Sequence, residues 1–135
     1  MGRLIGIPAQ TVDYWWPMVM PWIAAALARD PDYAPDDIRD RLLSRDMQLW
    51  LWLEADGTPT ACAVTSLAMF PRRSICRVQY VGGRGLRRWL RPAQDTITAW
   101  ARAQGCAMLE GYARPGWLRV LTGWRTAWTT IRRDL

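Results

Sequence analysis

The stretch SICRVQYVGGRGLRRWLRPAQDTITAWARAQGCAMLEGYA, residues 74–113, decides the architecture. Ser74 to Val81 has the β-branched, alternating character of a strand, and Gly82-Gly83-Arg84-Gly85 breaks it. Leu86 to Leu90 reads as one helical turn, and Pro92 opens the main helix, whose apolar face is Ala93, Ile97, Trp100, Ala101 and Gln104. Gly105 is placed to end that helix. Cys106 to Ala113 then returns to period two, with Ala107, Leu109 and Gly111 facing one way and Met108, Glu110 and Tyr112 the other. The stretch reads as strand, glycines, helix and strand.

Upstream, Met47 to Glu54 alternates Met47, Leu49, Leu51 and Leu53 against Gln48, Trp50, Trp52 and Glu54. Asp56-Gly57 is the strongest short hairpin signal in the chain, with Thr60 to Phe70 as the returning strand and Pro71-Arg72-Arg73 as the next turn. Before these, Thr11 to Arg29 is helical material that Pro17 and Pro21 are expected to split. Pro31 to Pro35 is a turn, and a second helix opens at Pro35 with Asp36 and Asp37 where the helix dipole favours anions. Downstream, Pro115 to Leu121 is a short helix ended by Gly123, Trp124 to Ile131 is a last strand, and the closing residues are polar. The expectation is one α+β domain over residues 1–135 on a mixed, mostly antiparallel sheet flanked by helices. Its first 46 residues supply two helices, which a family resemblance of this element order would put on the substrate side, and residues 47–131 supply the sheet.

Composition excludes much chemistry. Of 135 residues none is histidine, lysine or asparagine, and all 18 basic residues are arginine, for a net charge of +6. Imidazole metal sites, Ser-His-Asp triads, Cys-His dyads, Schiff-base lysines and P-loop lysines are therefore absent. No metal cofactor is expected. The three cysteines, Cys62, Cys76 and Cys106, show no CxxC spacing and read as reduced thiols in a cytoplasmic protein. The opening residues lack the apolar core of a signal peptide, and Trp15 to Leu27 is too short to span a bilayer, so no membrane partner is expected. Ten tryptophans divide between core and surface roles. Trp89 and Trp100 are expected on the sheet, while Trp50 and Trp52 line either a groove or a core. Trp15, Trp16 and Trp22 are either core or an exposed patch.

The order of elements resembles that of the GNAT (Gcn5-related N-acetyltransferase) superfamily. VQYVGGRG stands where that family's fourth strand meets its pyrophosphate loop. ITAWARAQGCAMLEGYA looks like its helix-to-fifth-strand passage, and WLRVLTGW, residues 117–124, is similar to a helix closing on glycine and an aromatic. The short chain and its GW ending resemble small GNAT-like proteins of tailed phages, including internal virion proteins. The resemblance implies acetyl-CoA as cofactor and an amine acceptor, with Tyr80, Val81, Gly82, Gly83, Arg84 and Gly85 holding the cofactor. The family signature Arg/Gln-x-x-Gly-x-Gly/Ala is degenerate here. Gln79-x-x-Gly82 begins it, but Arg84 takes the third anchor; reading Gly83-x-Gly85 puts Tyr80 first. Backbone amides must approach the phosphates closely, which is why glycines matter in such a loop.

From Gly57 to Gln94 the chain has 38 residues with no acid and seven arginines, whereas residues 30–56 carry eight acids and three arginines. The basic stretch suits coenzyme A phosphates, a nucleic-acid backbone, or plain solvation. Acyl transfer to an amine needs a base for the amine proton and an acid for the leaving thiolate. With no histidine, carboxylates, tyrosines and cysteines remain. Glu110, inside an apolar strand and two residues from Tyr112 on one face, is the candidate base, with Tyr112 the candidate acid. In the family that tyrosine more often comes from the following helix, where this chain has Val120 and Leu121. The competing reading of Glu110 is an ion pair with Arg114 or Arg119. Two functions follow: an acetyl-CoA-dependent N-acyltransferase, or a non-catalytic GNAT-like phage protein acting in a virion or on a host component.

Overall fold

A computed structural model describes residues 2–135. Its elements are β1 (Arg3–Ile7), a 3₁₀ turn (Ala9–Thr11), α1 (Val12–Leu27), α2 (Pro35–Leu43), β2 (Met47–Leu53), β3 (Pro59–Met69), β4 (Ser74–Gly83), α3 (Leu86–Ala103), β5 (Cys106–Gly111) and a 3₁₀ turn (Pro115–Arg119). The five strands form one sheet in sequence order, antiparallel from β1 through β4, with β5 parallel to β4. The fold is the expected α+β arrangement, a mostly antiparallel sheet with three α-helices.

Helices cover both faces. On one, Val19, Ile23 and Leu27 of α1 and Ile38 and Leu42 of α2 pack on Leu49, Leu51, Cys62 and Val64. On the other, Trp89, Ala93, Ile97 and Ala101 of α3 pack on Trp50, Trp52, Ala61, Ala63 and Cys76. Trp50 and Trp52 are therefore core. Trp52 stacks on Trp89 with ring centroids 6.3 Å apart, and Trp50 meets Trp100 edge-on at 5.3 Å. The Trp50 indole donates to Thr65 Oγ1 (3.0 Å), whose hydroxyl donates to Gln48 Oε1 (2.9 Å), so the buried polar atoms are satisfied in series. Trp15, Trp16 and Trp22 pack half-buried against the first core.

Several local expectations change. Strand β1, pairing with β2 from Arg3↔Leu53 to Ile7↔Leu49, has no counterpart in the sequence reading. Pro17 and Pro21 do not split α1, which runs unbroken. Both sit on its exposed side, four residues apart, so the carbonyls that lose partners at Asp13 and Pro17 face water. Pro92 likewise lies inside α3, which starts at Leu86 as one helix. Residues 124–131 form no strand. The Trp124 indole donates to Gln94 Oε1 on α3 (3.1 Å), and Arg132 lies 3.9 Å from Asp32 between α1 and α2, which carries the segment from one helical layer to the other.

Candidate active site

Strand β4 is held differently along its length. Its first half, Ser74 to Val78, pairs with β3 on one side and with Cys106 to Gly111 of β5 on the other. At Gln79 the ladder slips: Thr65 faces Val78 but Val64 faces Tyr80, which leaves Gln79 as a bulge. Beyond it β4 continues to Gly83 against β3 alone, while β5 ends at Gly111. Two parallel strands thus part above Val78, and the backbone of residues 79–83 presents an unpaired edge to the wedge between them. At the crotch, a Cβ on Gly111 would stand 3.4 Å from the Val78 carbonyl oxygen.

The free end of β4 leads through Gly83-Arg84-Gly85 into the start of α3. Gly83 has φ +108°, and a side chain there would strike the Ala61 backbone and the Thr60 carbonyl. Gly85, at φ +72°, is the residue from which α3 departs. The loop is pinned from beneath: the Arg84 amide donates to the Thr60 carbonyl (2.9 Å), and the Trp89 indole donates to the Arg84 carbonyl (3.0 Å). The Arg88 amide donates to the Gly85 carbonyl (2.9 Å), while the Leu86 and Arg87 amides precede the helical ladder and give the helix start its affinity for anions. Arg84, Arg87 and Arg91 are exposed beside it, with no carboxylate within 4.0 Å among the described residues. Arg88 is engaged differently. Its guanidinium lies over Gly85 and donates to Glu54 Oε1 (2.6 Å), which also accepts from Thr60 Oγ1 (3.0 Å).

On the α1 side, a Cβ at Gly82 would meet the Trp22 carbonyl at 2.8 Å, so strand and helix touch there through a glycine. The Tyr80 hydroxyl donates to Asp30 Oδ2 (2.9 Å). Burial and that bond push the phenol well above its ordinary range, so it stays protonated. Val81 packs on the α3 side.

Below the crotch, Arg77 Nε donates to Glu110 Oε1 at 2.9 Å, and the guanidinium lies 5.8 Å from the Phe70 ring centroid and 5.7 Å from that of Tyr112. The bond to Glu110 holds the Arg77 guanidinium above its usual range. The structure therefore brings Glu110 and Tyr112 together, with Arg77 between them, and places Glu110 directly across the ladder from its arginine. Arg114 and Arg119 are not its partners. Arg77 and Asp30 were not singled out from the sequence; only the register of β4 on β5 and the approach of α1 reveal them. The thiols are poor nucleophiles: burial pushes Cys62 up to about 12, and burial with the neighbouring Cys106 pushes Cys76 up to about 11.

Two concavities lie away from the parting of β4 and β5, one of about 290 Å³ beside Ile7, Val12 and Leu42, the other of about 580 Å³ among Asp32, Asp37, Asp40 and Asp46. Among the described residues no group of three or more cysteines and carboxylates is placed to hold a metal, and no helix is long and apolar enough to cross a membrane.

No protein-family model and no curated protein matches the sequence. Solved structures do match the fold. A ribosomal-protein-alanine N-acetyltransferase from Brucella melitensis biovar Abortus 2308 superposes with a TM-score of 0.70 at 14% identity over 100% of both chains. An aminoglycoside N-acetyltransferase in complex with CoA gives 0.70 at 12% identity, over 99% of this chain and 95% of that one. A GNAT family acetyltransferase from Staphylococcus aureus gives 0.66 at 10% identity, over 99% and 98%. The chain has the GNAT fold.

Proposed function

We propose that the protein is an acetyl-CoA-dependent N-acyltransferase whose cofactor enters the wedge between β4 and β5. The observation that carries this reading is the parting of the two strands at the Gln79 bulge, directly beneath the glycine loop that starts α3. The residues present fit such a cofactor. The free backbone edge of 79–83 matches a slim amide-bearing arm, and Gly82 and Gly83 let the end of β4 lie close against α1 and β3. The α3 amides with Arg84, Arg87 and Arg91 match phosphates. When bound, the cofactor supplies an activated acyl group. The chain's own part is to hold the arm against Tyr80 and Val81 and to manage two protons. Arg77 takes Oε1 of Glu110, which leaves Oε2 to receive the amine proton, and the exposed Tyr112 phenol is the donor to the departing thiolate. The acceptor is an amine that approaches on the Glu110 face of the sheet.

A reading in which the fold binds without turnover draws on one observation. Glu110 is already engaged by Arg77, and Val120 and Leu121 stand where a relative would carry a tyrosine. Calorimetry with acetyl-CoA tests binding, and release of free thiol in the presence of a panel of primary amines tests turnover. Binding is expected to weaken at least about tenfold in the Arg84→Ala/Arg87→Ala/Arg91→Ala chain. Absence of binding at millimolar cofactor overturns the proposal; binding without thiol release by any amine supports the non-catalytic reading.

A further inference from the structure

The three helices present different outer faces. α2 exposes Asp36, Asp40 and Arg41, and α3 exposes Arg87, Arg91 and Asp95, as the solvated side of a surface helix normally does. α1 exposes none: from Tyr14 to Ala28 there is no charged residue at all. Its buried side is Val12, Val19, Ile23 and Leu27. Opposite them lie Tyr14, Pro17, Pro21, Ala25 and the C-cap Ala28, all exposed, Tyr14 at 72%. At about 100° per residue, these five fall within about 40° of one line along the helix. The Tyr14 hydroxyl is the one polar side-chain group in that stripe. An outer face so long and so apolar indicates a contact still to be made.

The spacing of the stripe identifies its partner. The steps from Tyr14 to Pro17, Pro21, Ala25 and Ala28 are three, four, four and three residues, the same from either end about Pro21. An identical helix laid antiparallel across it meets every position in register: Pro21 on Pro21, Pro17 on Ala25 and Tyr14 on Ala28. Large side chains then meet small ones at both ends, and the two helix dipoles run in opposite directions. Asp13, already paired with Arg39 in its own copy, comes level with Arg29 of the other, so charges of opposite sign share each end of the seam. We infer that α1 docks on α1 of a second copy about a two-fold axis at Pro21. The contact is self-complementary, so it closes at two copies. An anionic lipid surface is a poorer occupant, because Asp30, Asp32, Asp36 and Asp37 follow the helix and repel it. The Asp13 and Pro17 carbonyls, freed by the prolines, keep their water in the seam. One helix pair is a small interface, so the expected dissociation constant is of order tens of micromolar. Two chains of net charge +6 repel, so added salt strengthens the dimer. The inference does not depend on the acyltransferase reading, and its test uses no cofactor.

Sedimentation velocity on the full chain from low to high micromolar concentration reads the outcome directly. The expected associated species has twice the 15.5 kDa chain mass. Ala25→Arg, a good helix former on the exposed side, raises the dimer dissociation constant at least about tenfold with an unchanged far-ultraviolet spectrum. The register has its own test. Helix axes about 8–10 Å apart, with Cα atoms about 2.3 Å off each axis, leave the two Cα atoms of position 21 about 4–5 Å apart, within reach of a disulfide. Pro21→Cys, made together with Cys106→Ser because the other two cysteines are buried, is expected to link two copies under mild oxidation. Asp95→Cys in the same background, on the outer face of α3, is expected to stay unlinked. A chain that remains monomeric at high micromolar concentration overturns the inference, whether or not it floats with phosphatidylcholine vesicles. So does a dimer that Ala25→Arg leaves intact or that Pro21→Cys fails to link.

Discussion

The two halves of β4 differ in what holds them, and so in what they can do. Ser74 to Val78 has a strand on each side and the α3 layer against Cys76, and Cys76 and Ile75 are 0% and 3% exposed. Tyr80 to Gly83 has a strand on one side only, a glycine touching α1, and a backbone edge facing space. The closed half has spent its hydrogen bonds and apolar surface on stability. The open half keeps a row of backbone groups unpaired on its β5 side, next to the closed half that carries the packing.

The contrast breaks first under truncation. Ile75→Ala, within the closed half where Ile75 is 3% exposed, is expected to cost about 3 kcal/mol by urea denaturation. Tyr112→Ala, just past the end of β5 where the ring is 72% exposed, should cost less than about 0.5 kcal/mol. Equal losses would mean the end of β5 is as tightly built as the core. The boundary is sharpened by Gly83→Ala, which forces a side chain at φ +108° into the Thr60 carbonyl, with an expected loss of about 2 kcal/mol. A thermal melt unchanged by that substitution would show that the loop has room to relax.

A last effect is alkaline. The Cys62 thiol, buried on β3 across from Gly82, is raised to about 12 in the folded chain from an ordinary value near 9. A raised folded value means the folded state binds the extra proton, so its contribution is complete below pH 9 and is lost as pH climbs toward 12. The slope expected for this group is about 1.4 kcal/mol per pH unit above 9, and Cys62→Ala should remove it from a series of urea melts.

What the sequence revealed and what it hid divide along the same line. Elements carried by local chemistry were legible: the alternation of Met47 to Leu53, the Asp56-Gly57 turn, and the glycine run that launches α3. The continuity of α1 was not, because the cost of Pro17 and Pro21 depends on which side of the helix meets water. β1 was not, since a five-residue edge strand containing Gly6 has little periodicity to read. Residues 124–131 have strand chemistry but no intrachain partner, and pairing is a tertiary matter. At the site, the loop glycines and the Glu110–Tyr112 pair could be named from spacing. Arg77 could not be matched to Glu110 across 33 positions without the ladder register, nor Asp30 to Tyr80.

The central claim is that the parted end of β4 receives a thioester cofactor. Titrating the isotope-labelled chain with acetyl-CoA while following its amide resonances tests this directly. The account predicts shifts concentrated at residues 79–87, with a second cluster at 109–112 across the wedge. Amides that stay unmoved at millimolar cofactor, or that move only around the acidic concavity of Asp32, Asp37 and Asp40, would contradict it.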